Sequence, residues 1–461
     1  MATFCKLSDT SRMKPLVIFS RMLIVAAVFI GCSPHVAPLR KYEPIQSDLY
    51  SIKIYSGDHP AETGETLGLD EAIAICMTKN HALQIAREEV AIVEGQLLQA
   101  KLLNNPEIEL SIRSSSAADT VLNIAGSLLQ PITLFWPKRQ VAIAVAEASL
   151  ERAKAEIQRF EWELRVGVKR AYLQTLRLQN EKTLFEQSFQ ISRSLSAYTA
   201  RLKIGGEISR IGELLMQSEL IEAKARLIEI ESELAQKKTE LAILIGVTSL
   251  PPLMDGMPDF TESIDLEPLK LSRMFAAGNP ELYLRDAEIR LATMEQIAAS
   301  NAWWPASKMG PTGEREAGGD RLFGVLFSVE LPIFNRNQGE IQSRTAALSK
   351  AQVERDKTAF VGQHTLDRLI IIIRQSQELI SLYQDQGLPG VEENLNLVQR
   401  AISAGESTLL ELIAARQRAI SMKLAYLRTR FAGIEILLDL EAVLGTPVFD
   451  LKIERLTTQE K

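Results

Sequence analysis

The sequence predicts a mainly α-helical protein with a small β part, built as two tandem repeats of long coiled-coil helices and strand hairpins. The first observation behind this prediction is an internal repeat with one constant offset along the chain. The second is a series of long stretches in which apolar residues recur alternately three and four positions apart. The third is a series of short segments in which apolar and polar residues alternate.

The repeat is carried by identical residues spread along the whole body of the chain. Every pair has the same separation, because 279 − 80 = 445 − 246 = 199. One offset over so long a span indicates an internal duplication. The matching pairs are Asn80 and Asn279, Leu83 and Leu282, Glu89 and Glu288, Ala100 and Ala299, Pro106 and Pro305, Arg201 and Arg400, Gly206 and Gly405, Glu207 and Glu406, and Gly246 and Gly445.

The duplication sets the expected domain boundaries. Repeat 1 is predicted at 67–247 and repeat 2 at 266–447, joined by a linker at 248–265 with several prolines. Residues 33–66 are expected to form an N-terminal extended segment, and 448–461 a C-terminal tail.

Residues 1–32 have the pattern of an export signal. Basic residues precede the short apolar stretch Met22–Ile30, which is followed by Gly31 and Cys32. The stretch is shorter than the ~20 residues that a membrane-spanning helix needs. The letters FIGC resemble a bacterial lipobox, so Cys32 is a candidate for lipidation. The alternative is ordinary signal cleavage, in which Cys32 is incidental.

Composition argues against several classes of function. The net charge is −6 and the basic residues are scattered, so no nucleic-acid-binding surface is predicted. The three cysteines and four histidines are too dispersed for a clustered metal site. No CxxC, HExxH, GxSxG or Walker-type motif occurs. We therefore expect no enzyme activity, no metal site and no cofactor.

Three helices are predicted in each repeat. In repeat 1 they cover Leu69–Asn104, about Gln140–Lys203 and about Glu207–Ile245. At ~1.5 Å per residue they measure roughly 55, 95 and 60 Å. The two shorter helices, packed end to end, would therefore match the long one. The strands would lie at one end and the Gly205-Gly206 turn at the other, because glycine readily ends a helix.

Between the first and second helices, short segments alternate in the manner of strands. They are Glu107–Arg113, Thr120–Pro131 and Arg321–Pro332, with a fourth around 306–316 that we expect to be short or irregular because of Pro311 and two glycines. An ordinary half-buried sheet has the same period. Two features favour a membrane: the segments suit a tilted crossing of ~9–11 residues, and Trp136, Trp303 and Trp304 flank them as interfacial aromatics would.

A single chain offers about four strands, whereas a membrane barrel needs about eight or more. Three copies would supply twelve. With this repeat, these strands and these long helices, the chain resembles the TolC-type outer-membrane factors over about Leu67–Pro447. The run LPIFNRNQGEI is similar to the form found in the CzcC-like heavy-metal efflux branch.

The resemblance implies a homotrimer in the outer membrane, with a twelve-stranded β-barrel and an α-helical periplasmic tunnel. It also implies a periplasmic adaptor protein and an inner-membrane pump of the resistance-nodulation-division type. In this family the helix turns at the end remote from the strands, called the tip here, contact the adaptor. The tip candidates are Arg201, Gly205, Gly206, Glu207, Arg400, Gly405 and Glu406. The alternative is that glycine only reverses the chain and the charges are solvated.

Glu213 and Glu411 are candidates for an entrance constriction, because family members often place acidic residues just above the tip. Three symmetry-related carboxylates would favour cations. Alternatively, Glu411 only completes a capping box with Thr408.

The leading hypothesis is a passive exit duct for efflux, with divalent heavy-metal cations as cargo. One alternative keeps the duct but changes the cargo to organic drugs or secreted polypeptides. Another is a periplasmic coiled-coil scaffold, which would need neither amphipathic strands nor interfacial tryptophans.

Overall fold

A computed structural model describes most of the chain from residue 66 onward. The described ranges are 66–114, 122–132, 137–204, 209–254, 256–258, 266–302, 306–316, 319–404, 406–448 and 453–454. They fall in one compact unit, which spans 54–461. The architecture is mainly helical with a small antiparallel sheet, as the sequence predicts.

The elements of the first half follow the predicted order, with the sheet strands between a short-helix pair and a very long helix. They are α1 (Leu69–Lys79), α2 (His81–Lys101), β1 (Glu107–Ser114), β2 (Leu122–Pro131), α3 (Pro137–Ile204) and α4 (Arg210–Ile245). A two-residue strand, β3 (Met257–Pro258), pairs with β6 (Ile453–Glu454) near the C-terminus.

The prediction of one uninterrupted helix over Leu69–Asn104 is wrong, because the chain breaks at Asn80. Asn80 is extended, with φ −64° and ψ 121°, and its side chain accepts a hydrogen bond from the Leu83 N–H. Asparagine is a favoured N-cap for this reason. The apolar seam beyond the break is as expected, since Leu83 and Val90 are fully buried.

The two shorter helices pack along different parts of α3, as their lengths suggest. Arg87 on α2 pairs with Glu161 on α3 at 3.3 Å. Farther along, Leu178 on α3 packs against Ile230 and Leu234 of α4. The two short helices meet where the Asn80 Nδ2 donates to the carbonyl of Leu244 at 2.7 Å.

The second half repeats this order. Its elements are α5 (Pro268–Gly278), α6 (Pro280–Asn301), β4 (Ser307–Arg315), β5 (Arg321–Val329), α7 (Gln338–Leu382), α8 (Leu388–Ser403) and α9 (Leu409–Leu444). A π-helical turn, Tyr383–Gly387, joins α7 to α8. Pro389 follows in the first turn of α8, where its missing N–H weakens the regular ladder.

The four main strands form one antiparallel sheet in the order β1-β2-β4-β5. The expectation that β4 would be short or irregular is wrong, because it pairs with β5 over its whole length. Pro311 is accommodated because the bridges to β2 are interrupted beside it, between Thr312 and Met309. Next to it, Gly310 lies so close to β2 that an added Cβ would stand 1.8 Å from the Leu128 carbonyl oxygen.

Strand β5 ends at Val329, three residues before the Pro332 that we expected to end it. The chain then turns through Asn337, which has a positive φ of 66°, and α7 starts at Gln338. No helix in the described part of the chain is long and apolar enough to cross a membrane.

One hydrophobic core lies in the second half, where α5, α6, α7 and α9 meet. Phe275, Leu366, Ile373 and Leu437 are among its buried side chains. Each such side chain contributes roughly 1.5–3 kcal/mol when it leaves water.

Candidate functional site

The sheet separates an apolar face from a polar face. Side chains alternate along each strand and register partners share a side, so the pairing assigns every residue to one face. All members of the apolar face are exposed, and Phe323 is 86% accessible. They are Ile108, Leu110, Ile112, Ile124, Leu128, Met309, Phe323, Val325, Phe327 and Val329. The exposed apolar residues of β1, β2 and β5 follow the alternation of apolar and polar residues along these segments.

The opposite face is largely polar. Its charged members are Glu107, Glu109, Arg113, Lys308 and Glu314. The Lys308 ammonium contacts the Glu107 carboxylate at 2.6 Å, at the end of the sheet nearest the helices. The sheet is therefore amphipathic across its thickness, and at the end nearest the helices its polar face carries charges of both signs.

The two outer strands, β1 and β5, each pair on one side only within the described residues. An unpaired strand edge is a row of unsatisfied N–H and C=O groups, which readily joins another strand. The exposed apolar face and the open edges are thus two separate surfaces that call for a partner.

The structure describes only part of each predicted tip. Gly205, Gly206, Glu207 and Gly405 lie outside the described residues. Arg201 is exposed in the last turn of α3, and Arg400 is exposed in the last turn of α8. Glu406 is exposed as well, and its N–H donates to the Ala401 carbonyl at 2.8 Å, which closes the end of α8.

Glu411 forms the capping box that the sequence left as an alternative. Its carboxylate accepts from the Ser407 hydroxyl and, at 2.9 Å, from the Thr408 N–H, while its own N–H donates to Thr408 Oγ1. These hydrogen bonds, the one from Ser407 first, lower the pKa of Glu411 below its usual 4.5. The side chain is exposed, so a role at an entrance stays a prediction.

Glu213 lies in the first turn of α4 and is largely covered. Its side chain pairs with Arg210, three positions earlier in the same helix. Ser209 caps this helix through its hydroxyl, which accepts from the Gly212 N–H at 3.2 Å. The contact with Arg210 partly neutralises the carboxylate in the single chain.

The remaining predicted residues, Cys32, Trp136, Trp303 and Trp304, lie outside the described residues. Among the residues that are described, no cluster of His, Cys, Asp or Glu is arranged to hold a metal ion. Cys76 is buried, donates to the Leu244 carbonyl at 3.3 Å, and has its pKa raised to about 11 by burial. It is a structural thiol.

Sequence reasoning missed two polar features between the helices. Two buried carboxylates on helix seams, Glu181 and Glu441, pair across α3 and α9 with Arg428 and Lys169. Near the tip, Gln417 on α9 donates to Glu219 on α4 at 2.8 Å. Burial raises the pKa of Glu219, and the nearby Glu222 carboxylate raises it further. In the sequence, the only signal for the two buried ion pairs is a glutamate inside an apolar seam.

Comparison with known proteins gives one clear sequence relative. The chain is 24% identical over 403 residues to the cobalt-zinc-cadmium resistance protein CzcC of Cupriavidus metallidurans, covering 84% of this chain and 92% of that protein. No family model matches the chain.

Solved structures share its fold. Structures of CusC match with a TM-score of 0.71 at 16% identity, covering 82% of this chain and 92% of that one. The outer-membrane protein VceC of Vibrio cholerae matches with a TM-score of 0.68 at 15% identity, covering 83% and 97%. The CmeC outer-membrane channel of Campylobacter jejuni matches with a TM-score of 0.71 at 12% identity, covering 89% and 95%.

The TM-scores show that these solved structures share the fold described above. The fold of the chain is that of TolC-type outer-membrane channels, and its resemblance to the CzcC-like branch of that group is confirmed.

Proposed function

We propose that the protein is the outer-membrane exit duct of a tripartite efflux system, and that three copies join to form it. The observation that carries this proposal is the four-stranded sheet with an exposed apolar face and two open edges. Lipid covers the apolar face, and strands of neighbouring copies satisfy the edges.

The strand number favours three copies. Two copies would give eight strands, which close around an interior just wide enough for side chains. Three give twelve, and the polar face with Glu107, Glu109 and Lys308 then lines a water-filled passage. The related structures are outer-membrane channels, and the outer membrane is where this chain works.

The helices form the wall of the tunnel that continues from the barrel. Several large apolar side chains on α2 and α7 stay exposed in the single chain, among them Ile85, Ile92, Val353 and Phe360. Such residues favour burial against neighbouring helices. The tip residues Arg201, Arg400 and Glu406 are exposed. We propose that they contact a periplasmic adaptor, which links the duct to an inner-membrane pump of the resistance-nodulation-division type.

Divalent heavy-metal cations are the cargo we propose, because the sequence relative CzcC is a cobalt-zinc-cadmium resistance protein. In this proposal the pump selects the cation. The duct itself is passive.

The test is the sensitivity of a deletion strain to cobalt, zinc and cadmium salts, measured beside its sensitivity to dyes and detergents. We expect the minimum inhibitory concentration of the metals to fall and to recover on complementation, with dye sensitivity unchanged. Increased sensitivity to dyes alone would favour organic cargo and contradict the proposed cations. No change for either class would contradict the efflux function.

A further inference from the structure

Two arginines stand at the end of the apolar face that is remote from the helices. Arg315 ends β4 and Arg321 begins β5, and the two are register partners across the hairpin. Register also places Arg315 opposite Ile124, a member of the apolar face. Both arginines therefore share the side of the sheet that carries Phe323 and Val325, and both are exposed.

This arrangement is unfavourable without a partner anion. Like charges directly opposite each other across two strands destabilise the pair. Within the described residues, neither arginine makes a salt bridge or a side-chain hydrogen bond. The nearest strand carboxylate, Glu314, belongs to the polar face because side chains alternate.

The described outward residues of a neighbouring copy's β1 do not supply the missing anion to this face. If copies join edge to edge, β5 meets β1 of the next copy. The outward residues of β1 are Ile108, Leu110 and Ile112, which carry no charge. The turn that joins the two strands carries Glu316 and Asp320, but neither forms a salt bridge with Arg315 or Arg321 within the described residues. The outward face of the described strands therefore offers the two arginines no carboxylate.

We propose that Arg315 and Arg321 bind the phosphate groups of anionic lipid headgroups in the leaflet farther from the helices. The proposal rests on the proposed function, because it requires the apolar face to lie in lipid. A guanidinium matches phosphate geometry with two parallel hydrogen bonds. Acyl chains of the same lipid contact Phe323 and Ile124 beside the arginines, so headgroup and tail are held together.

The test uses the full protein inserted into vesicles of phosphatidylcholine and phosphatidic acid. The protein is re-extracted, and its retained lipids are measured by mass spectrometry. We expect phosphatidic acid to be enriched about tenfold over its share in the vesicle, since a hydrogen bond to a charged group is worth about that factor. The double variant R315Q/R321Q should retain both lipids in proportion to supply.

Arg113 provides the matched control. It sits at the same end of the sheet, opposite Asn123, but on the polar face. The R113Q variant should keep the full enrichment. If the double variant fails to insert, the single variants R315Q and R321Q are tested instead. Each should show a smaller enrichment of phosphatidic acid than the wild type.

Three results would overturn the proposal. The double variant could keep the wild-type enrichment, or inserted wild-type protein could show none. Inorganic phosphate could also displace the lipid, which would identify free phosphate as the ligand. Failure of wild-type protein to enter any vesicle would instead contradict the proposed outer-membrane function, so the two failures are distinguishable.

Discussion

Asn80 and Asn279 make the same pair of hydrogen bonds in the two halves of the chain. The Oδ1 of each accepts from the N–H three residues later, at 2.9 and 2.8 Å. The Nδ2 of each donates to a carbonyl in the last turn of the helix that ends its half, Leu244 at 2.7 Å and Val443 at 2.6 Å. Both pairs keep the repeat offset, since 279 − 80 = 443 − 244 = 199.

This junction also explains the glycines after α4 and α9. Gly246 and Gly445 are left-handed, with φ 78° and 73°. An added Cβ would stand 2.6 Å from the Lys79 carbonyl oxygen in the first half and 2.0 Å from that of Gly278 in the second. In each half, one asparagine and one glycine join three helix ends.

We predict that Asn279→Ala lowers the free energy of unfolding by about 2 kcal/mol, because it removes an N-cap and leaves the Val443 carbonyl without its donor. Asn279→Ser should lose less, since serine keeps the cap. Chemical unfolding in detergent, followed by circular dichroism, measures both. Equal losses for alanine and serine would contradict the role of the cap.

The buried pair of Lys169 and Glu441 gives a second prediction. Lys169 Nζ lies 2.8 Å from Glu441 Oε2, and the Val448 N–H donates to the other oxygen at 3.0 Å. Glu441→Gln should cost about 3 kcal/mol, because it removes the carboxylate of a buried ion pair. The double variant K169M/E441Q should recover most of that loss, as measured by the same unfolding experiment.

The exposed pair of Glu222 and Arg226 is the control for this experiment. Removing Glu222 by substitution with glutamine should change the unfolding free energy by less than about 0.5 kcal/mol. If K169M/E441Q were as unstable as Glu441→Gln alone, loss of the buried ion pair would not be the cause of the lower stability.

Gly310 and Gly313 provide a comparison within one strand. Gly310→Ala should prevent β4 from pairing with β2, because the methyl group would overlap the Leu128 carbonyl. Gly313→Ala should be tolerated, since its nearest neighbour, a Phe323 ring atom, is 3.6 Å away. The measurement is the amount of each variant recovered in purified outer membranes. Equal recovery of the two would contradict the register.

Glu411 predicts a pH dependence at the start of α9. Its folded pKa is lowered by the Ser407 and Thr408 hydrogen bonds, so these stabilise the helix start above pH 4.5 and are lost as the pH falls through the lowered value. Amide hydrogen exchange in the first turn of α9, corrected for intrinsic rates, should rise on acidification. Glu411→Gln keeps a neutral acceptor in the capping box, so its exchange at neutral pH should be faster than that of the wild type and should change little on acidification.

Glu406→Gln is the control, because Glu406 is exposed and lies outside the capping box. It should behave as the wild type. Protection in α9 that is insensitive to Glu411 at every pH would contradict the assignment.

The periodic features of the sequence predicted most of the fold. The helical spacing of Leu83 and Val90 predicts a helix seam, and the alternation that includes Phe323 and Val325 predicts an outward strand face. Both periodicities follow from the local geometry of the backbone. The break at Asn80 was missed because the apolar seam continues through it. The length of strand β4 was underestimated because Pro311 counts against a strand, whereas the pairing with β2 is interrupted beside Pro311, where it has no N–H to donate.

The polar contacts between distant helices were not predictable. Lys169 and Glu441 lie 272 positions apart, and nothing local marks them as partners. The arginine pair at Arg315 and Arg321 became visible only once the hairpin register was known. For the candidate site, the sequence located the strands and the exposed tip residues but not the contacts that hold them.

The central claim is that several chains share one barrel, and its most direct test is the native mass of the protein extracted in detergent from purified outer membranes. We predict a mass, after subtraction of detergent, of three mature chains. A monomer or dimer in that fraction, or protein found only in the soluble periplasm, would contradict the shared barrel and favour a scaffold.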